Sequence, residues 1–221
     1  MMLSETDRNT LKKKFAMGMK DEVTLLLFVD GRSAISKELI DFSRMIAGLG
    51  PKITVEVEES DGGKNQHMKD LRVENTPCMV LVKGDFSRLR YFGVPGGYEM
   101  PAITDAIVEL SGSPHPLSPK AEKALSRVRR RANIKVFVVH TCPFCPTVVR
   151  HAYRAAMGSA KVTAEVIDSS VFTDLAVRHS VMGVPKVVLN DSVDITGAVQ
   201  EEEFFDMLLD ADHALVDSMY V

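Results

Sequence analysis

The stretch His140–Pro146 reads HTCPFCP and lies between an apolar run, IKVFVV at residues 134–139, and a segment with helical periodicity, Thr147–Met157. Two cysteines separated by two residues, at a turn from a strand into a helix, are typical of a dithiol/disulfide centre. Unpaired N–H groups and the dipole at a helix N-terminus favour a negative sulfur. We therefore expect Cys142 to lie at the start of the helix and to act as a thiolate nucleophile.

Pro143 and Cys145 complete this prediction. Proline has no N–H group to leave unpaired, so Pro143 suits the first position of the helix. Cys145 would lie one turn further on and would resolve a mixed disulfide formed at Cys142. The alternative is half of a zinc site, which needs two further Cys or His ligands. The chain offers only Cys78 and the nearly adjacent His140 for that role, so redox chemistry is favoured and no metal is expected.

The composition is that of an ordinary soluble globular protein. The 221 residues are 45% hydrophobic and 26% charged, with a formal net charge of −3, so no strong field for binding polyanions is expected. No apolar run approaches the roughly 18 residues of a membrane span, and the N-terminus lacks the pattern of a signal peptide. Three cysteines are too few for a disulfide scaffold. We expect a cytoplasmic protein with a working disulfide and with neither nucleic-acid nor membrane partners.

The same order of predicted elements occurs twice along the chain. Each half is predicted to contain a helix, strand, helix, strand and helix, then a proline, a β-hairpin and a closing helix. A segment rich in proline, serine and glycine, Ser111–Pro119, has the composition of a linker. The repeat predicts an internal duplication with domains at residues 1–115 and 116–221.

The spacing of two prolines relates the halves residue by residue. Pro185 follows Cys142 by 43 residues, and Pro77 follows Ser33 by 44 residues. Ser33 therefore takes the place of Cys142, and the first half carries SAIS where the second half carries CPFC. A hydroxyl group forms no disulfide and does not ionise near neutral pH. We expect the first half to be redox-silent and to act as a binding and positioning platform.

The CPFC turn, the strand before it and the later Val184-Pro185 resemble the thioredoxin and glutaredoxin fold. The doubled order resembles the protein disulfide oxidoreductases, glutaredoxin-like proteins made of two fused thioredoxin folds. It is also similar to the N-terminal domain of the alkyl hydroperoxide reductase flavoprotein subunit. The resemblance implies an α/β protein with two tandem thioredoxin-like folds. Each would have a mixed central sheet flanked by helices, and only the second would carry a CxxC motif.

The resemblance also implies roles for individual residues. Cys142 and Cys145 would be the redox pair, and Pro185 would be a cis-proline that faces them. Val184 would present backbone groups to which a substrate polypeptide adds as an extra strand. Pro143 and Phe144, which lie between the cysteines, would belong to the same substrate-binding region.

The implied function is a thiol–disulfide oxidoreductase that acts on protein disulfides and carries no bound cofactor. A flavin-dependent enzyme similar to thioredoxin reductase would restore its dithiol. One alternative is a dedicated electron donor to a peroxidase such as a peroxiredoxin. Another is a non-enzymatic binding or chaperone-like module. The sequence ITGA at residues 195–198 matches poorly the Gly-Gly with which glutaredoxins bind glutathione, which favours protein disulfides as substrates.

Two further residues have open interpretations. His140, two residues before Cys142, either favours the thiolate electrostatically or faces solvent at the end of a strand. Cys78 is either a regulatory thiol or an inert cysteine in a buried strand, and the second interpretation is favoured. We expect the remaining helical histidines to lie on helix surfaces: His67, His151, His179 and His213.

Overall fold

The computed structural model of the chain describes residues 3–217, and the side chains of residues 3–211. The chain divides into two compact units, of which the first ends at Pro114 and the second begins at His115. Among residues 3–217, no helix combines the length and the apolar composition that a membrane span requires.

The first unit contains four helices, four strands and one 3₁₀ turn. In chain order these are α1 (Glu5–Gly18), β1 (Val23–Val29), α2 (Ala34–Ala47), β2 (Ile53–Glu59), the 3₁₀ turn (Asp61–Gly63), α3 (Gln66–Asp70), β3 (Cys78–Lys83), β4 (Phe86–Phe92) and α4 (Glu99–Leu110). The strands are ordered β2-β1-β3-β4. β1 pairs in parallel with β2 and antiparallel with β3, and β4 is antiparallel to β3, so the sheet is mixed.

Local sequence explains why these elements form. Strand β1 reads VTLLLFV, and six of its seven residues are buried, as expected for a central strand covered on both faces. Helix α1 starts at a Ser4 cap, whose hydroxyl accepts the N–H of Asp7, and it buries Leu11 and Phe15, which are spaced by one helical turn. The apolar stripe of α2, which includes Leu39 and other large side chains, is buried in the same way.

The second unit repeats this order. Its elements are α5 (Pro119–Arg127), β5 (Ala132–Val138), α6 (Cys145–Gly158), β6 (Val162–Asp168), α7 (Thr173–Arg178), β7 (Lys186–Leu189), β8 (Val193–Thr196) and α8 (Glu201–Asp217). The strands are ordered β6-β5-β7-β8, with β5 and β6 parallel and the other pairs antiparallel. The prediction of an α/β fold with two tandem, similarly built domains is confirmed.

Several predicted boundaries were wrong. Helix α5 ends at Arg127 because the buried Val128 adopts an extended conformation, so the basic run Arg129–Arg131 lies outside the helix. Helix α8 continues to Asp217, eight residues beyond its predicted end. Any helix end predicted within residues 218–221 lies outside the described residues, as does the side chain of His213.

Candidate functional site

The proposed nucleophile, Cys142, lies in a turn just after strand β5. The turn is closed by a hydrogen bond in which the N–H of Cys142 donates to the carbonyl of Val139 at 3.1 Å. The Sγ atom of Cys142 lies 3.7 Å from the carbonyl oxygen of Val184. The residue is 7% exposed, so its sulfur lies at a surface that leaves only a narrow approach.

Helix α6 begins at Cys145 with Phe144 as its N-cap, so the prediction that Pro143 is the first helical residue was wrong. Pro146 explains the difference. A helix that began at Pro143 would need the N–H of residue 146 to donate to the carbonyl of Cys142, and proline has no N–H group. Pro146 instead occupies the first turn of α6, where its nitrogen needs no partner.

The first unit makes the hydrogen bond that proline prevents in the second. There the N–H of Lys37 donates to the carbonyl of Ser33 at 3.3 Å, and α2 begins directly after Ser33 at Ala34. The turn before the helix is otherwise alike, because the N–H of Ser33 donates to the carbonyl of Asp30 at 2.9 Å. Ser33 is therefore a helix N-cap, whereas Cys142 lies upstream of its helix.

The two cysteines of the CPFC motif differ in access to solvent. Cys145 is fully buried as the first residue of α6, while Cys142 keeps a small exposed fraction. Phe144, between them, is 61% exposed. All three cysteines of the chain are thiols rather than disulfides in this structure. An incoming disulfide therefore meets Cys142 before Cys145.

Both prolines that the spacing singled out follow cis peptide bonds, as the resemblance implies for Pro185. In each unit the carbonyl of the cis-proline accepts a hydrogen bond from a glycine N–H. Gly93 donates to Pro77 at 3.0 Å, and Gly197 donates to Pro185 at 2.8 Å. The structure thus brings Cys142 to the residue before its cis-proline, and it repeats the cis-proline at the serine-bearing site.

An exposed methionine near this loop was missed by the sequence reasoning. Met182 is 95% exposed and lies two residues before Val184. Together with the exposed Phe144, it adds apolar surface to the same end of the second unit. Its exposure has no local signal, since methionine is common in cores and a loop position alone does not show which way the side chain points.

His140 contacts a buried carboxylate that the sequence reasoning did not single out. Its Nε2 atom lies 3.1 Å from Oδ2 of Asp168, the last residue of β6, which is 0% exposed. Burial by itself would raise the pKa of Asp168, but the contacts with His140 and Ser170 outweigh it and hold that pKa below its ordinary value. The His140 side chain is 37% exposed and so meets both solvent and an anion.

The equivalent place in the first unit is polar but holds no pair of thiols. Ser36 is 1% exposed, and its hydroxyl accepts a hydrogen bond from the N–H of Asp30 at 3.0 Å. Cys78, the residue after the cis-proline, is fully buried in strand β3, which agrees with an inert core cysteine. Among the described residues, no group of three or more His, Cys, Asp or Glu side chains is placed to hold a metal ion.

The expectation that His151 lies on a helix surface was wrong. It is 7% exposed, and its ring lies 5.7 Å from that of Phe204 in α8. Burial lowers the pKa of His151 below its ordinary value. His67 in the first unit does lie near the surface, with its Nδ1 atom 2.8 Å from Glu58.

Comparisons with known proteins agree with this architecture. A family model described as a thioredoxin domain matches residues 132–210. A probable thioredoxin from Methanothermobacter thermautotrophicus is 34% identical over 79 residues, which cover 35% of this chain and 93% of that protein.

Two solved structures match across nearly the whole chain. One is the alkylhydroperoxide reductase AhpF of Enterococcus faecalis, with a TM-score of 0.87, 30% identity and coverage of 94% of this chain and 100% of that one. The other is a protein disulfide oxidoreductase from Aeropyrum pernix, with a TM-score of 0.87, 22% identity and coverage of 97% and 95%, a likeness of fold alone. The chain spans 28% to 32% of the length of the first curated relatives it matches.

Proposed function

This chain belongs to the thioredoxin-domain family and is a thioredoxin-fold disulfide oxidoreductase, and from that premise we propose that Cys142 and Cys145 are its reaction centre and protein disulfides its substrates. The observation that carries the proposal is the unequal access of the two sulfurs beside one cis-proline loop. Cys142 is partly open and 3.7 Å from the Val184 carbonyl, whereas Cys145 is sealed three residues further along the chain.

The geometry supports an ordered exchange of two electrons. The Cys142 thiolate attacks one sulfur of the substrate disulfide, and the other substrate sulfur leaves as a thiolate that takes up a proton. Cys145 then loses its proton and attacks the sulfur of Cys142. This step releases the second substrate thiol and leaves a Cys142–Cys145 disulfide. An external reductant must restore the dithiol, and we assign that role to a flavin-dependent enzyme similar to thioredoxin reductase.

The loop around Val184 and Pro185 would receive the substrate polypeptide. The backbone before the cis-proline lies at the sulfur of Cys142, where an extended segment could add as a strand while its disulfide is attacked. Exposed Pro143 and Phe144 border the same sulfur and would contact that segment. The first unit, which has serines in place of the cysteines, would bind and position partners without exchanging electrons.

A second candidate function is electron delivery to a peroxidase. The similarity to a structure named alkylhydroperoxide reductase favours this candidate, since it extends over 94% of the present chain. In this version a peroxiredoxin is the physiological disulfide substrate, and the chemistry at Cys142 is unchanged. Both versions place the protein in the cytoplasm, need no cofactor bound to this chain, and differ only in the partner.

Trapping of the mixed disulfide tests the proposal and separates the two versions. In a Cys145→Ala variant the resolving step is blocked, so partners should accumulate in covalent complexes on Cys142 that a reductant releases. A variant that also carries Cys142→Ser is the matched control and should capture nothing. Capture of a peroxiredoxin above other proteins would favour the second version. Failure to form any mixed disulfide, with a folded variant and a reducible test protein present, would contradict the proposed function.

A further inference from the structure

The second unit contains a buried carboxylate that the exchange mechanism does not use. Asp168 is 0% exposed and ends strand β6, where it lies in register with Val138, the last residue of the parallel strand β5. The turn to Cys142 begins directly after Val138. Asp168 therefore lies at the edge of the sheet from which the reactive turn starts.

The two oxygens of this carboxylate have different partners. Oδ1 accepts hydrogen bonds from both the N–H and the hydroxyl of Ser170, the former at 2.9 Å. Oδ2 faces Nε2 of His140 at 3.1 Å, but the ring N–H is not aligned for a full hydrogen bond, so this contact is mainly electrostatic. The conformation of the turn thus places an imidazole against the less satisfied oxygen.

The nearest strand on the other side of β5 does not supply a competing cation. Its buried lysine, Lys186 on β7, lies 2.6 Å from Asp194 and donates to the carbonyl of His179 at 2.8 Å. Lys186 is thus engaged by groups of its own, and the cation available to Asp168 is His140.

A buried anion is stabilised chiefly by an opposite charge at close range, because burial removes most of its hydration. Asp168 should therefore favour the imidazolium form of His140. That form would place a positive charge two residues before Cys142, in the turn closed by the Cys142–Val139 hydrogen bond. A nearby positive charge favours a thiolate over a thiol.

We propose that Asp168 is a positioning residue for the thiol chemistry, which holds His140 as a cation beside Cys142 and thereby favours the Cys142 thiolate. The proposal rests on the proposed role of Cys142 as nucleophile. It assigns to the buried carboxylate an effect on reactivity that is transmitted through His140 rather than through direct contact with the sulfur.

The test is the rate of alkylation of Cys142 by iodoacetamide, measured as a function of pH on the full chain with its site of modification identified. Asp168→Asn keeps the side-chain shape and the acceptor for Ser170 but removes the charge. It should slow alkylation at pH 7 by about three- to tenfold and move the pH profile upward, since a tenfold change in thiolate population corresponds to one pH unit. Asp194→Asn, the matched control, should leave the profile unchanged.

A double-mutant cycle decides whether the effect passes through His140. His140→Asn alters a partly exposed side chain and should slow alkylation as Asp168→Asn does. In the His140→Asn background, the further Asp168→Asn substitution should change the rate less than twofold. If Asp168→Asn unfolds the chain, as judged by circular dichroism, His140→Asn alone still tests the proposed cation.

Two results would overturn the proposal. One is a His140→Asn profile that coincides with that of the unmodified protein. The other is an equal effect of Asp168→Asn with and without His140, which would mean that the carboxylate acts by another route. Either result leaves Cys142 reactive and the proposed function intact. A Cys142 that is not alkylated at any pH in the unmodified protein would instead contradict the proposed function itself.

Discussion

The two units of this chain place different chemistry on the same arrangement of elements. Each has a mixed four-stranded sheet, a turn closed by an N–H···O=C bond after its first strand, and a cis-proline before its third strand. They differ in the residues at the turn, SAIS against CPFC, and in where the next helix begins. The comparison teaches that the scaffold positions a reactive pair, while sulfur and one proline determine what the site does.

The largest effect should come from making the second unit chemically like the first. Cys142→Ser replaces the nucleophilic sulfur with a hydroxyl that does not ionise near neutral pH, so reduction of a test protein disulfide should fall to the rate seen without the protein. Cys78→Ser, at a fully buried cysteine of the first unit, is the control and should retain full activity. Disulfide reduction that survives in Cys142→Ser would remove the distinction between the units and disprove the proposed mechanism.

The converse graft is expected to have the next largest effect. Ser33→Cys combined with Ser36→Cys, in a Cys142→Ser and Cys78→Ser background, puts two thiols at the corresponding turn beside the cis Thr76-Pro77 bond. If the scaffolds are equivalent, the two introduced cysteines should oxidise to a disulfide with each other. Mass spectrometry of the alkylated protein reports this as a loss of two reactive thiols. Persistent thiols under oxidising conditions would show that the turns are not interchangeable.

A smaller effect should follow from exchanging the residues that set the helix starts. Lys37→Pro removes the bond to the Ser33 carbonyl and should lower the free energy of unfolding by about 1–3 kcal/mol, with Lys37→Ala as the control. Pro146→Ala restores an N–H group at the matching place, so α6 should begin earlier and the protein should gain up to about 1 kcal/mol. Urea unfolding measures both changes. Equal stabilities of Lys37→Pro and Lys37→Ala would contradict the helix-start explanation.

The smallest effect concerns the pH dependence of stability. Burial lowers the pKa of His151 in the folded state, so the unfolded chain binds a proton that the folded chain does not. The resulting stability is complete above the unfolded pKa of about 6.5 and is lost as pH falls below it. In the first unit the pKa of Glu58 is lowered, mainly by its contacts with His67 and Asn65 against the opposing effect of burial. Its contribution is lost only in acid below about pH 4.5, near the ordinary glutamate value.

The second unit should therefore weaken at a higher pH than the first. Hydrogen exchange resolved by peptide, at pH 7.5 and 5.5 with correction for intrinsic rates, measures the stability of each unit. His151→Gln removes the titrating group and should reduce the loss of protection in the second unit. An identical pH response in the variant would mean that His151 makes no contribution.

Much of the fold could be predicted because its signals are local. The run VTLLLFV gave the bounds of β1 correctly, and the matching proline spacings identified both cis-prolines and the serine-bearing turn. The start of α6 was mispredicted although its cause, Pro146, is in the sequence. Pro143 satisfies the same preference for the first helical turn, and only the hydrogen bond at residue 146 decides between them.

The features that escaped prediction depend on residues far apart in the chain. The burial of His151 requires Phe204, which approaches it only when α8 packs against α6. Asp168 reads as an ordinary turn residue at a strand end, and only the register of β5 and β6 places it beside the turn of His140. Helical and strand periodicity identify which face of an element is apolar, but not which distant polar group that element meets.

Controlled oxidation followed by peptide mapping tests the central distinction between the units most directly. The reduced protein is treated with one equivalent of a small disulfide, the remaining thiols are alkylated, and the state of each cysteine is determined by mass spectrometry. The account predicts a Cys142–Cys145 disulfide with Cys78 still a thiol. A disulfide that includes Cys78, or a Cys142 and Cys145 that both remain thiols, would contradict it.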